Sequence, residues 1–138
     1  MITDAPTRPT ANATGLAFQS VSAGALEQLD QVGIDRLDFG TIGFDAAGVV
    51  GRYNAFESEA AGLAPARVLG QPLFTVVAPC MNNFLVAQRF EDAAAAHAAL
   101  DVTIDYVLTL RMRPVKVKLR LLADPAASMR YVLVHRSV

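Results

Sequence analysis

Apolar and polar residues change rhythm several times along this chain, and each change marks an element. Over residues 23–31, Leu26 and Leu29 fall three apart, the spacing of one helix face. Leu37, Phe39, Thr41, Ile42 and Phe44 then read as a strand. Asp45-Ala46-Ala47-Gly48 has turn chemistry with glycine last, and residues 49–53 form a second strand, so the pair predicts a hairpin. Between 54 and 73 short helical pieces are punctuated by Gly62, Pro65, Gly70 and Pro72. Asn54 suits an N-cap, and Glu57 stands three residues on, at capping-box spacing, although such a box normally starts with Ser or Thr.

An apolar segment, 74–80, is closed by Pro79 and Cys80. Asn82 or Asn83 can cap the Ala-rich helix predicted over 84–100. Strands follow at 102–112, 115–122 and 129–134, with Arg113-Pro114 and Asp124-Pro125 at the turns. In the middle one, Val115, Val117, Leu119 and Leu121 alternate with Lys116, Lys118, Arg120 and Leu122. Only Leu122 breaks the pattern of one packed and one solvated face. Strand runs separated by a helical block predict an α+β domain with helices packed on an antiparallel sheet. That domain takes in residues 21–138; residues 1–20, rich in Thr, Ala, Ser, Pro and Asn, read as a flexible leader with little to bury.

Composition narrows the function classes. The 138 residues fit one domain, and 53% hydrophobic with 18% charged residues gives a core that needs no disulfide staple. A formal net charge of -1 leaves no electrostatic footprint for nucleic acid or an anionic membrane. No apolar run approaches a membrane span and the N-terminus carries no secretory pattern, so the expected location is the cytoplasm. With one cysteine and two distant histidines, His97 and His135, a metal centre is not expected.

The candidate chemistry starts at Cys80. A lone cysteine is ordinarily a small buried hydrophobe, but this one follows Pro79 and precedes a predicted helix start, where a thiolate is favoured. Neither histidine is marked as a base for it. Tyr53 and Glu57 are four residues apart, and on a helical turn they share one face. Their plain reading is a half-buried phenol and a solvated or capping acid. Their sharper reading is two donors, a hydroxyl and a protonated carboxyl, holding one buried anionic oxygen. Tyr106 and Met112 fall on one strand face, as core or as lining. Lys116, Lys118 and Arg120 read as a solvated stripe.

Tyr53-Asn54-Ala55-Phe56-Glu57, Val68-Leu69-Gly70, Phe74 and Val77-Ala78-Pro79-Cys80 together resemble the photoactive yellow protein family. So does Met112-Arg113-Pro114-Val115-Lys116-Val117-Lys118, and the resemblance runs over about residues 37–136. It implies a PAS fold, a five-stranded antiparallel sheet flanked by short helices and one longer connecting helix. It also implies p-coumaric (4-hydroxycinnamic) acid held by a thioester at Cys80, its phenolate bound by Tyr53 and a protonated Glu57. Ile42, Val77, Ala78, Pro79, Tyr106 and Leu108 would line the pocket, and Met112 would ease recovery in the dark. Blue light would isomerise the chromophore, and Glu57 would pass its proton to the phenolate, leaving a buried carboxylate without a partner. The N-terminal segment would correspond to the family's cap, which loosens in the signalling state.

Three positions depart from that pattern. The family's threonine falls at Ala61, its pocket-closing arginine at Leu63 and its last-strand tryptophan at Tyr131. Ala61 and Leu63 would leave the pocket drier and less firmly hydrogen-bonded. The implied protein is a sensor without turnover, a monomer or weak dimer whose output passes through a separate signalling protein. The alternative is a PAS module without a chromophore, binding another small ligand or a protein; an enzyme using Cys80 stands third.

Overall fold

The computed structural model describes residues 16–109 and 114–136. Strands β1 (Gly40–Phe44), β2 (Val50–Tyr53), β3 (Leu100–Leu108), β4 (Val115–Ala123) and β5 (Arg130–Arg136) form one antiparallel sheet, ordered β2-β1-β5-β4-β3. Two short helices, α1 (Ala23–Glu27) and α2 (Gln31–Asp35), precede it. The chain crosses from one sheet edge to the other through α3 (Ala55–Ala61), α4 (Pro65–Val68), a π turn (Leu73–Val77), a 3₁₀ turn (Pro79–Met81) and α5 (Ala87–Ala95). This is the predicted α+β arrangement, with the strand hairpins where the sequence put them.

Three elements differ from expectation. The single helix over 23–31 is two helices, because Ser22 and Asp30 each cap a new start by accepting from Ala25 N and Gly33 N. The long helix stops at Ala95 rather than at 100; His97 takes a left-handed φ of 52°, and Leu100 already pairs with Ala123 across the sheet. The strand predicted over 102–112 begins two residues earlier, at Leu100, and Met112 and the turn residue Arg113 lie outside the described residues.

The sheet is covered on both sides. One core gathers Ile42, Phe44, Val50, Tyr53, Leu73, Phe90, Leu119 and Val132 under the helical block. The other gathers Phe18, Val21, Leu26, Ile34, Phe39, Leu122, Tyr131 and Leu133 under the N-terminal segment. Phe18 is buried and meets the Phe39 ring edge-on at 5.9 Å, so the last part of the segment read as a loose leader is packed. The rest of that leader, 1–15, lies outside the described residues.

This second core corrects the reading of β4. Arg120 is not a solvated stripe residue: it is only 5% exposed, pairs with Asp101 at 2.9 Å, and donates to the carbonyls of Phe18 and Val21. Leu122 breaks the polar alternation because its face is also buried. Lys116 and Lys118 remain exposed.

Candidate functional site

The site lies on the sheet face covered by the helical block. Ile42, Tyr53, Ala78 and Leu108 belong to that core, and Leu63, Val77, Cys80 and Tyr106 pack against it. Ala61 is buried at the end of α3, which Gly62 closes in the left-handed conformation with φ 71°. A cavity of about 370 Å³, lined by Gly62, Leu63, Arg67, Val68, Val76 and Val77, opens beside Leu63 and Val77. Met112 is not among the described residues.

Asn54 sets the register of the acidic end. Its Oδ1 accepts from Glu57 N and Thr41 N, both at 3.0 Å, while its Nδ2 donates to the carbonyls of Ile34 and Phe39. One side chain thus caps α3 and ties it to β1 and α2. The reciprocal half of a capping box is not made, because the Glu57 side chain turns the other way.

That turn brings Glu57 to Arg136 at the end of β5. The guanidinium donates from Nη1 to Oε1 at 2.7 Å and from Nη2 to Oε2 at 3.0 Å. The pair is bidentate and deep, with the Glu57 side chain 3% exposed and that of Arg136 17%. It needs Gly40: a Cβ there would stand 2.0 Å from Glu57 Oε1. Tyr53 ends β2 rather than sharing a helical face with Glu57, and its hydroxyl is buried with no hydrogen-bond partner among the described residues. Burial, and secondarily the nearby Glu57 charge, push the Tyr53 phenol well above its ordinary range, against a smaller opposing effect of Arg136. Tyr53 is therefore a buried, neutral phenol.

Cys80 occupies the 3₁₀ turn, half-buried. It stands well ahead of α5, so the expected help from a helix N-terminus does not apply. Its backbone is held instead by side chains. Tyr106 Oη donates to the Cys80 carbonyl at 2.5 Å, and Asn83 Nδ2 reaches both that carbonyl, at 3.2 Å, and Tyr106 Oη, at 2.7 Å. Asn83 Oδ1 accepts from Leu85 N and Val86 N, which fixes the amide that completes this triangle. Tyr106 thus lines the core with its ring and ties β3 to the cysteine turn with its hydroxyl.

The chain matches a curated photoactive yellow protein from Rhodothalassium salexigens at 34% identity over 97 residues, 70% of this chain and 77% of that one. The chain belongs to the photoactive yellow protein family. The photoactive yellow protein of Rhodobacter capsulatus is 28% identical over 103 residues, 75% of this chain and 82% of that one. Among solved structures, the photoactive yellow protein domain of the sensor histidine kinase Ppr from Rhodospirillum centenum superposes with a TM-score of 0.75 at 33% identity, covering 83% of this chain and 99% of that domain. The PAS domain of the Cronobacter turicensis quorum-sensing receptor RpfR, at 16% identity, 73% and 95% coverage and a TM-score of 0.56, shares the fold. No family model matches the chain. The fold is therefore PAS, and the protein is a PAS-type photosensor of this family.

Two site residues were not singled out from the sequence. Arg136 had no visible signal: residues 131–134 are buried on both faces, so β5 shows no alternation to mark which side Arg136 takes. Asn83 was read only as a cap, and its bond to a tyrosine on β3 spans a distance in sequence that no local pattern reports. Among the described residues no group of His, Cys, Asp or Glu could hold a metal ion, and no helix is long and apolar enough to cross a membrane.

Proposed function

We propose that the protein is a blue-light photoreceptor carrying p-coumaric acid as a thioester at Cys80. The observation that carries this reading is the buried Tyr53 hydroxyl without a partner. A neutral phenol in a dry core, with no acceptor among the described residues, suits a bound anionic oxygen. Cys80, packed against the same core and half-buried, is the sulfur available for a thioester. Tyr106 and Asn83 hold its carbonyl, so the attachment turn is ordered from β3 and not by helix geometry. Ala61 offers Tyr53 no hydroxyl, and Leu63 offers no charge to close the pocket, which supports a loosely hydrogen-bonded, apolar site.

The bound group supplies light absorption and a change of shape about its double bond. The chain's part is to hold the phenolate oxygen with Tyr53 Oη and with a proton on a Glu57 carboxyl oxygen, and to let that proton go. Glu57 then carries charge in a site where it is 3% exposed. The protein acts as a sensor without catalytic turnover, in the cytoplasm, and its output passes to a separate signalling protein. In Ppr the corresponding domain belongs to a sensor histidine kinase, which supports a signalling role for this fold.

The test is to supply activated p-coumaric acid to the purified protein and record visible absorption. A new band that bleaches in blue light and returns in darkness is the expected result. A folded protein with an intact Cys80 thiol and no adduct by mass spectrometry would overturn it. The second reading, a PAS module for another ligand, would then stand, favoured by Arg136 holding both Glu57 oxygens.

A further inference from the structure

We infer that Arg136 is the acceptor site for the Glu57 carboxylate, so that proton transfer from Glu57 exchanges one hydrogen-bonded pair for an ion pair and leaves no uncompensated charge. The inference rests on the photoreceptor reading above and adds a residue and a charge balance to it. The family resemblance implied a carboxylate stranded without a partner. The structure supplies the partner: as a carboxylate, Glu57 presents both oxygens to one guanidinium, at 2.7 and 3.0 Å.

Three features make this an exchange site and not a fixed brace. Glu57 has no escape to water, being 3% exposed, whereas Arg136 is 17% exposed at a strand end and can turn its guanidinium outward when Glu57 is neutral. Gly40 leaves room against β1 for the carboxylate to sit, since a Cβ would meet Oε1 at 2.0 Å. Among the described residues Glu57 is also the one side chain hydrogen-bonded to the Arg136 guanidinium, so this cation's contacts depend on that acid. Atoms balance simply. The O–H bond at Glu57 breaks, one forms at the acceptor oxygen, and the guanidinium keeps its proton throughout while gaining two hydrogen bonds to the new carboxylate.

The consequence is kinetic. A carboxylate held by Arg136 is a stable product, so return of the proton to Glu57 is slowed, and the end of β5 changes its contacts with each turnover of light. Loss of the cation makes the carboxylate costly and hastens the return.

The test combines ¹⁵N-arginine NMR with recovery kinetics. In the protein before loading, Arg136 Nη signals should be resolved and slowly exchanging, and Glu57→Gln should remove that signature. After loading, they should resemble the Glu57→Gln spectrum in the dark and regain the engaged pattern under illumination. Arg136→Gln should recover in the dark at least about tenfold faster than the parent, with Arg136→Lys between the two. An Arg136 signal identical in dark and light, in a protein that bleaches normally, would overturn the exchange while leaving the photoreceptor reading intact. Unchanged recovery in Arg136→Gln would do the same. Should Arg136→Gln fail to fold, Arg136→Lys and the parent's own spectra decide. Absence of any adduct overturns both readings together.

Discussion

The two faces of the sheet are each pinned by an arginine, and the two are used differently. Arg120, on the face under the N-terminal segment, divides its bonds between the Asp101 carboxylate and two backbone carbonyls, those of Phe18 and Val21. Asp101 is 59% exposed, so half of that arrangement is wet and the rest is neutral. Arg136, on the site face, gives both its bonds to a carboxylate that is 3% exposed. An arginine tied to carbonyls keeps its partners whatever the protonation of nearby acids. One tied to a buried acid has two charged acceptors only while that acid is ionised, and a single neutral carbonyl oxygen when it is not. The first geometry makes an anchor and the second makes a contact that responds to charge.

The comparison can be broken at several points. The largest effect is expected from Arg136→Met, which leaves Glu57 buried and unpaired. It should lower unfolding stability of the unloaded protein by about 3 kcal/mol in urea denaturation, the cost of removing one member of a buried pair. A loss below about 1 kcal/mol would mean that the pair is not a buried one in solution. Arg120→Met removes charged donors from two carbonyls and should cost about 2 kcal/mol. Its distinguishing sign is faster amide exchange around Phe18 and Val21 with the Glu57 end unchanged; uniform loosening of both faces would mean that the two arginines do not pin them independently.

Tyr106→Phe keeps the ring and deletes the bond to the Cys80 carbonyl, for which about 1 kcal/mol is expected. Thiol modification of Cys80 should quicken in that variant, and an unchanged rate would show that Asn83 alone orders the turn. The smallest effect is that of acid. Arg120's hydrogen bonds to Asp101 hold its carboxyl below the usual carboxylate range. At Glu27, burial works upward but is outweighed by the bonds from Tyr131 and Ser128 and by the Arg52 charge, so its carboxyl also sits low. Groups with depressed folded values stabilise above the unfolded value and lose that contribution as pH falls through the folded one. Since an unperturbed carboxyl titrates near about 4, amide protection of the N-terminal face should hold from neutrality down to about pH 4 and weaken below it. The change should be small, because Asp101 is largely solvated and Glu27 only half-buried. Loosening that begins near pH 6 would point to another group.

What the sequence made legible was local. Asn54 announced itself as a cap and does cap α3. The hairpins followed from spacing, the alternation of β4 holds only from Lys116 to Leu119, and the family came from short segments around Tyr53 and Cys80 and at 112–118. What it hid was made by residues far apart. Arg120 reads as solvated until Phe18 and Val21, about a hundred positions away, cover it. The Ala-rich run after Phe84 favours helix by propensity, yet Leu100 is claimed by pairing with Ala123, and strand pairing outweighs propensity there. Glu57 and Arg136 are separated by 79 positions, with nothing between them to connect acid to base. The breaks at Ser22 and Asp30 are the exception, since both are ordinary N-cap residues and local chemistry could have found them.

Gly40 has a wider consequence. A single methyl group at that position would take the space of a carboxylate oxygen, so the residue opposite Glu57 acts as a filter on which sequences can house an acid at this place. For engineering, that makes position 40 a dial separate from the acid itself. Alanine there would displace the carboxylate from its place beside Arg136 while leaving Glu57, Tyr53 and Cys80 in the sequence.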